Sequence, residues 1–504
     1  MAEPEIVIAN REHLWWLLAE AAQLEHMIMC QYLFAEFSLK SGDELSADHA
    51  EVVDRWRTTL RGIAVQEMLH LALVANLMAA IGAAPTLDRP NFPRRSGYFP
   101  PSVQMDLLPF GEQALAHFLY IERPEGMERQ DAEGFVPMAP PLDPLGAGEA
   151  MPRGQEFTTV GHLYRGVERG LATLVDQLGE RALFVGSPVA QATPERFHWP
   201  QLIAVTDLDT AQSAVDEIIE QGEGARGDWK EAHYGRFFAM WQEYEDLHRR
   251  DPTFQPTRPV IPAYSGQPFD VVDPVAVITD PQTRRVAELA ALSYELVLQL
   301  LLRFFTHTDE TEEQLDVLAH SAIATMGRVL RPIATTLTTL PVGPEHPDRT
   351  AGFSFEMFYR MGNMVPWREP AWALLHERAS VLADRCAELA DDVPSAHEPA
   401  AAIAANLAAH VPPDLRGNYT ASEPAAVGME DEPMHFEQDI KPLFRESDRN
   451  SMRFAFDLWS HDDVSANADA ILGRLEAGTM PCDGAWPAER VAVFRQWIDA
   501  GKPA

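Results

Sequence analysis

The stretch 63–82, IAVQEMLHLALVANLMAAIG, constrains this chain most, because it sets Glu67 and His70 three residues apart inside a segment patterned as a buried helix. Ile63, Ala64, Leu71, Leu73, Val74 and Leu77 surround the two polar groups at helical spacing. Burying a carboxylate and an imidazole on such a face is costly unless something compensates them, and a metal ion is the partner that both can serve at once. Taken alone, the pair reads more simply as a hydrogen-bonded core histidine beside a helix-surface glutamate, so further ligands must come from the rest of the chain.

The residues before it supply one. From 11 to 40 the apolar residues Leu14, Leu17, Leu18, Ala21, Leu24, Ile28, Tyr32 and Ala35 recur at three and four, the signature of a long amphipathic helix ending before Ser41-Gly42, and Glu25 lies inside the stripe. Ser46 can cap the next helix, which carries Glu67 and His70 and stops at Gly82. A short loop makes the two helices antiparallel neighbours, so Glu25 and Glu67 can face each other. Glu-x-x-His projecting inward from a bundle helix is the half-site pattern of di-iron and di-manganese carboxylate proteins.

Between 85 and 156 prolines and glycines are dense, and the expectation is irregular coverage or a lid around one short helix at 111–121. A helix capped by Thr158 or Thr159 follows, with His162 in its first turn and Glu168 at the margin of its apolar face. The next segment, 209–224, places Glu220 outward, while Gly222 and Gly224 let the backbone turn Glu223 inward. In the helix after that, Trp229, His233, Phe237, Met240, Trp241 and Tyr244 line up, which puts His233 on an aromatic stripe. A proline-rich linker then leads to helices expected at 281–306, 311–338 and 367–391, rich in Leu and Ala and without a second ligand set. A second linker near 411–428 precedes a small module. The expected units are therefore 1–250, 275–410 and 430–504.

Composition narrows the function. The 504 residues carry a formal charge of −36, which argues against nucleic acid and against an anionic membrane surface as partners. Cys30, Cys386 and Cys482 show no Cys-x-x-Cys spacing, which excludes a thiolate metal knuckle and fits a reducing compartment. The N-terminal residues lack a basic start followed by an apolar run, and a cytoplasmic, soluble protein is the expectation.

LEHMIMCQYLFA with Glu25, VQEMLHLALVANLMAAIG with Glu67 and His70, TTVGHLYRGV with His162, IIEQGEG with Glu223 and AHYGRF with His233 together resemble the ferritin-like domain of the iminophenylpyruvate dimer synthase family of violacein- and rebeccamycin-type pathways. The resemblance spans roughly residues 10 to 245 and departs at 162, where the pattern calls for a glutamate or glutamine. It implies an all-α fold, a ferritin-like antiparallel helical bundle, followed here by the second helical region and the small helical module. It further implies a small amino-acid-derived substrate that is oxidatively coupled. The C-terminal module looks like a cytochrome c domain without its haem motif: RESDRNSM stands where the attachment cysteines and histidine would be, and GTMPCDGAWP resembles the axial-methionine loop. Its apolar residues outnumber what so small a module needs, so docking on the bundle or on a second subunit of a homo-oligomer is expected.

The ligand set expected from this reading is Glu25, Glu67, His70, His162, Glu223 and His233, holding one or two non-haem iron ions, with manganese or zinc as alternatives. The activity expected is a metal-dependent oxidoreductase using dioxygen or peroxide. The rivals are a non-catalytic scaffold of a biosynthetic complex and a zinc-dependent hydrolase, and no Ser-His-Asp arrangement supports a metal-free hydrolase.

Overall fold

Asn10 starts the first long helix by accepting a hydrogen bond from the His13 amide at 2.9 Å, and the chain then runs unbroken through α1, Arg11–Ser38. Ser46 caps α2, Ala47–Ala80, whose end is fixed by Gly82 at φ +83°, a left-handed position that a side chain would strain. α1 and α2 pack along their length, burying among others Leu14, Leu18, Ile28, Leu60, Ile63, Leu73 and Leu77. Each such side chain is worth about 1.5–3 kcal/mol, so apolar packing supplies the pair's stability. α2 is also long and apolar enough to cross a membrane, with mean hydropathy 1.5 over its best window, but 83% of that window is buried within the protein.

The computed structural model describes residues 5–95, 104–135, 145–146, 148–224, 228–268, 271, 274–358, 364–416, 435–453, 455–476, 480, 486 and 488–503. After α2 a short antiparallel pair, β1 (Arg94–Arg95) with β2 (Gln104–Met105), precedes α3 (Glu112–Ile121). α4 (Val160–Leu178) is capped by Thr159, and the short turns α5 (Glu180–Leu183) and α6 (Pro194–Phe197) lead to α7 (Leu208–Gly222), capped by Asp207. α8 (His233–Arg250) completes the first bundle, with α4 packed on α7 and α3 on α8. The fold is all-α in class, an antiparallel helical bundle followed by further helices, as the resemblance implies.

Within the same compact unit, 1–419, lie the helices of the second region: α9 (Pro281–Phe305), α10 (Glu312–Ala324), α11 (Arg331–Leu337), α12 (Arg368–Glu388) and α13 (His397–Ala408). The one helix expected over 311–338 is interrupted by a π turn at Thr325–Leu330, and α13 was not foreseen. The proline-rich stretch read as a linker contains a strand, β3 (Val260–Tyr264), central in a parallel sheet ordered β4-β3-β5 with Ala276–Val277 as β4 and Thr350–Phe353 as β5. Pro262 is tolerated there because β4 pairs only with Ala263 and Tyr264, leaving the proline on a locally open edge.

The C-terminal unit, 420–504, contains α14 (Glu446–Met452), α15 (His461–Glu476) and α16 (Ala488–Asp499) around its own core, including Phe436, Ile440, Leu458, Ile471, Phe494 and Trp497. Cys482 and most of the GTMPCDGAWP segment lie outside the described residues, whereas Cys30 and Cys386 are free and buried.

Candidate metal centre

Five polar side chains converge inside the first bundle, each at most 5% exposed: Glu25 from α1, Glu67 and His70 from α2, Glu122 just past the end of α3, and His233 at the start of α8. They form two groups able to hold an ion. Glu25, Glu67 and His70 offer one set of ligand atoms within 4.8 Å of one another; Glu67, Glu122 and His233 offer the second. Glu67 is common to both. Its Oε2 lies 2.9 Å from His70 Nδ1 and its Oε1 lies 2.8 Å from His233 Nδ1, so the two oxygens of one carboxylate address two different imidazoles. Glu25 Oε2 stands 3.5 Å from His70 Nδ1, and Glu122 Oε1 stands 3.6 Å from His233 Nδ1.

The orientation of these atoms matters more than their proximity. Although His233 Nδ1 and Glu67 Oε1 are within 2.8 Å, neither has a hydrogen-bond partner, and neither does His233 Nε2. Buried polar atoms rarely go unpaired, and the ligand atoms of this group lie within 4.8 Å of one another, near enough to share a cation. His70 is held differently: its Nδ1 is hydrogen-bonded to Glu67 Oε2 at 2.9 Å, and Gln221 Oε1 lies 3.1 Å from its Nε2 and fixes the ring. Tyr164 donates to Glu25 Oε1 at 2.6 Å and Tyr32 donates to Glu122 Oε1, so the outer carboxylates are each oriented by a buried phenol.

Ionisation follows from this crowding. Burial pushes Glu25 up to about 7, against its hydrogen bond from His70, and burial together with the Glu67 charge raises Glu122. Burial opposes charge on Glu67 too, but His233 and His70 outweigh it and hold Glu67 well below the usual carboxylate range. Desolvation likewise disfavours charge on the two rings, yet Glu67 raises both, His70 to about 10. The charge of Glu67 thus favours the protonated form of both imidazoles, a role that a cation would take by displacing those protons.

Of the six residues singled out from the sequence, the structure brings Glu25, Glu67, His70 and His233 together and leaves two outside both groups. His162 sits in the first turn of α4, its Nδ1 accepting from the Thr158 amide at 3.2 Å. Glu223 follows the last residue of α7, and its carboxylate accepts from the Glu125 amide at 2.7 Å and from Arg165 at 3.3 Å. It presses so closely on α4 that a Cβ at Gly161 would come within 2.3 Å of its carboxyl. Glu223 thus anchors the segment that carries Glu122. Glu122 itself went unrecognised because it follows a helix in a proline-rich stretch; the available signal was a charged residue ending the apolar run FLYI.

This arrangement, an antiparallel bundle with carboxylate and imidazole groups facing its interior, defines a ferritin-like helical protein with a candidate metal centre, and the Ferritin-like family model matches residues 18–242. The chain is 28% identical over 388 residues to the dichlorochromopyrrolate synthase of Lentzea aerocolonigenes, an alignment covering 69% of this chain and 36% of that one. It is 25% identical over 356 residues to the 2-imino-3-(indol-3-yl)propanoate dimerase of Chromobacterium violaceum, covering 66% of this chain and 33% of that one. The chain thus spans about a third of the length of these curated relatives. A ferritin-like protein from Caulobacter vibrioides, solved by crystallography, superposes with a TM-score of 0.39 at 19% identity, covering 63% of this chain and 96% of that one.

Proposed function

We propose that this chain is a non-haem, metal-dependent oxidoreductase acting on a small amino-acid-derived intermediate, with a pair of iron ions held by Glu25, Glu67, His70, Glu122 and His233. The observation that carries this reading is the sharing of Glu67 between two ligand groups, which is what a carboxylate bridging two ions requires. Three carboxylates with two imidazoles favour iron or manganese over a softer metal. Bound there, such ions supply one-electron and dioxygen or peroxide chemistry. The protein's own contribution is positional: Tyr164, Tyr32 and Gln221 fix the ligands, and the apolar faces of α1 and α2 exclude water.

The substrate class is drawn from the relatives, one of which is named for dimerising 2-imino-3-(indol-3-yl)propanoate. An aryl 2-imino acid is therefore the substrate to try, under air or with peroxide. Iron-loaded protein should give a coupled, oxidised product by mass spectrometry, and chelated protein should not. Simple hydrolysis of the imine, or equal turnover with zinc alone, would overturn the assignment in favour of a hydrolase. For the C-terminal unit we propose a covering or interaction role without covalent haem: His461 Nε2 is engaged by the Lys502 carbonyl at 2.9 Å, and RESDRNSM offers no thioether. A Soret band at stoichiometric strength would contradict this.

A further inference from the structure

A cavity of about 250 Å³ lies between α1 and α2 on one side and α9 and the π turn on the other, and none of the five residues of the metal centre lines it. On α2 the lining residues Arg61, Val65, Met68 and Ala72 are about 100° or more around the helix from Glu67, and Leu71, about 40° from it, is the lining residue nearest that face. The interior is aromatic and thioether-rich, with Phe37, Phe197 and Phe305 among its rings and Met29 and Met326 as adaptable filler. Where the cavity meets Glu36, the character changes. Arg61 donates to Glu36 Oε1 at 2.7 Å and Arg331 donates to the same oxygen at 3.2 Å, so one buried carboxylate gathers two guanidinium groups at one wall. Their side chains remain 37% and 35% exposed, so neither fork is used up by Glu36, and with Glu36 ionised the three groups still sum to one positive charge. Arg331 is set in place by the π turn that precedes it, a helix defect that is frequent at functional sites.

We propose that this cavity is a second small-molecule site, separate from the metal centre, which binds an aromatic monocarboxylate: the ring occupies the apolar interior and the carboxylate takes the free donors of Arg61 and Arg331. The charge balance decides between head groups. A cationic head would face two arginines and one glutamate; an anionic head gains charge-assisted, fork-like hydrogen bonds from guanidinium groups already held in position. In a chain of formal charge −36, a locally positive wall on an apolar cavity is a selective feature.

The test uses the full chain, metal-loaded and metal-free, with 3-phenylpropanoate as probe and 3-phenylpropanamide and 3-phenylpropylamine as neutral and cationic counterparts, measured by calorimetry. The acid should bind about tenfold or more tightly than either counterpart, equally with and without metal. R331Q and R61Q should each weaken it about tenfold, and E36Q should tighten it by freeing both guanidinium groups. A72F should abolish binding by filling the cavity; if A72F fails to fold by circular dichroism, the arginine variants decide alone. Equal affinity for acid and amide, preference for the amine, indifference to both arginine substitutions, or loss of binding in E67Q would each overturn the proposal, the last by placing the probe at the metal centre.

Discussion

Two buried ionic clusters in this molecule obey the same electrostatics and end in opposite states. Arg303 and Glu310, both side chains fully buried, are 2.5 Å apart. Arg303 also donates to Thr308 and to the carbonyls of Val365 and Pro366, while Glu310 accepts from Trp372 at 3.0 Å and from the Thr308 amide at 2.9 Å. That cluster is closed. Around Glu67 the groups are equally buried and equally near, yet Glu67 Oε1 and both ring nitrogens of His233 have no hydrogen-bond partner. A protein that can satisfy one buried pair so fully shows by contrast that the unsatisfied set is arranged for something other than its own members.

The largest effect expected from this contrast is at the closed cluster. Glu310→Ala leaves Arg303 charged and buried, and should cost about 3–5 kcal/mol in urea unfolding. Glu67→Ala in metal-free protein should cost much less, with helical content retained by circular dichroism, because apolar packing supplies most of the bundle's stability. A larger loss at Glu67 than at Glu310 would show that the Glu67 cluster, too, is held together by its own charges.

Glu36 sharpens it, being a buried carboxylate held by arginines but with one oxygen unpaired. Burial, opposed by Arg61 and Arg57, pushes it up from 4.5 to about 7. A raised carboxylate contributes stability that is complete below its unfolded value and is lost as pH rises through its folded value. Between pH 4.5 and 8 the wild type should therefore lose up to about 3 kcal/mol relative to Glu36→Gln, read from paired denaturation curves. A flat difference across that range would show that the arginines fully offset the burial.

The smallest expected effect concerns orientation. Tyr164→Phe removes the hydrogen bond to Glu25 and should weaken metal binding about 10–100-fold without unfolding the protein. Unchanged affinity would mean that Glu25 is positioned by helix packing alone.

How far the sequence reveals this site depends on how regular the backbone is around each residue. Glu25, Glu67 and His70 lie inside long helices whose periodicity announces which face is buried, and His233 lies on an aromatic stripe, so the inward placement of all four is legible. Glu122 is not, because it sits at a helix terminus where the 3.6-residue period gives no direction. His162 and Glu223 look like ligands for the converse reason: a histidine near an apolar face and a glutamate between glycines suggest an inward turn. In the structure His162 Nδ1 accepts from the Thr158 amide at the first turn of α4, and the Glu223 carboxylate accepts from the Glu125 amide beyond α3, so neither falls within the two ligand groups among the described residues. The β3 strand escaped notice because its prolines read as a linker, and the π turn because its sequence, TMGRVL, continues the helical pattern without a break.

If Glu67 serves two ion positions at once, as proposed, the number of ions retained by a set of single variants follows from it. Tag-free protein reconstituted with Fe(II) under anaerobic conditions should retain two ions per chain after desalting. Glu25→Ala and Glu122→Ala should each retain one, Glu67→Ala none, and His162→Ala and Glu223→Ala both. Two ions remaining in Glu67→Ala, or a wild-type protein that binds none, would rule out a carboxylate shared between two ions.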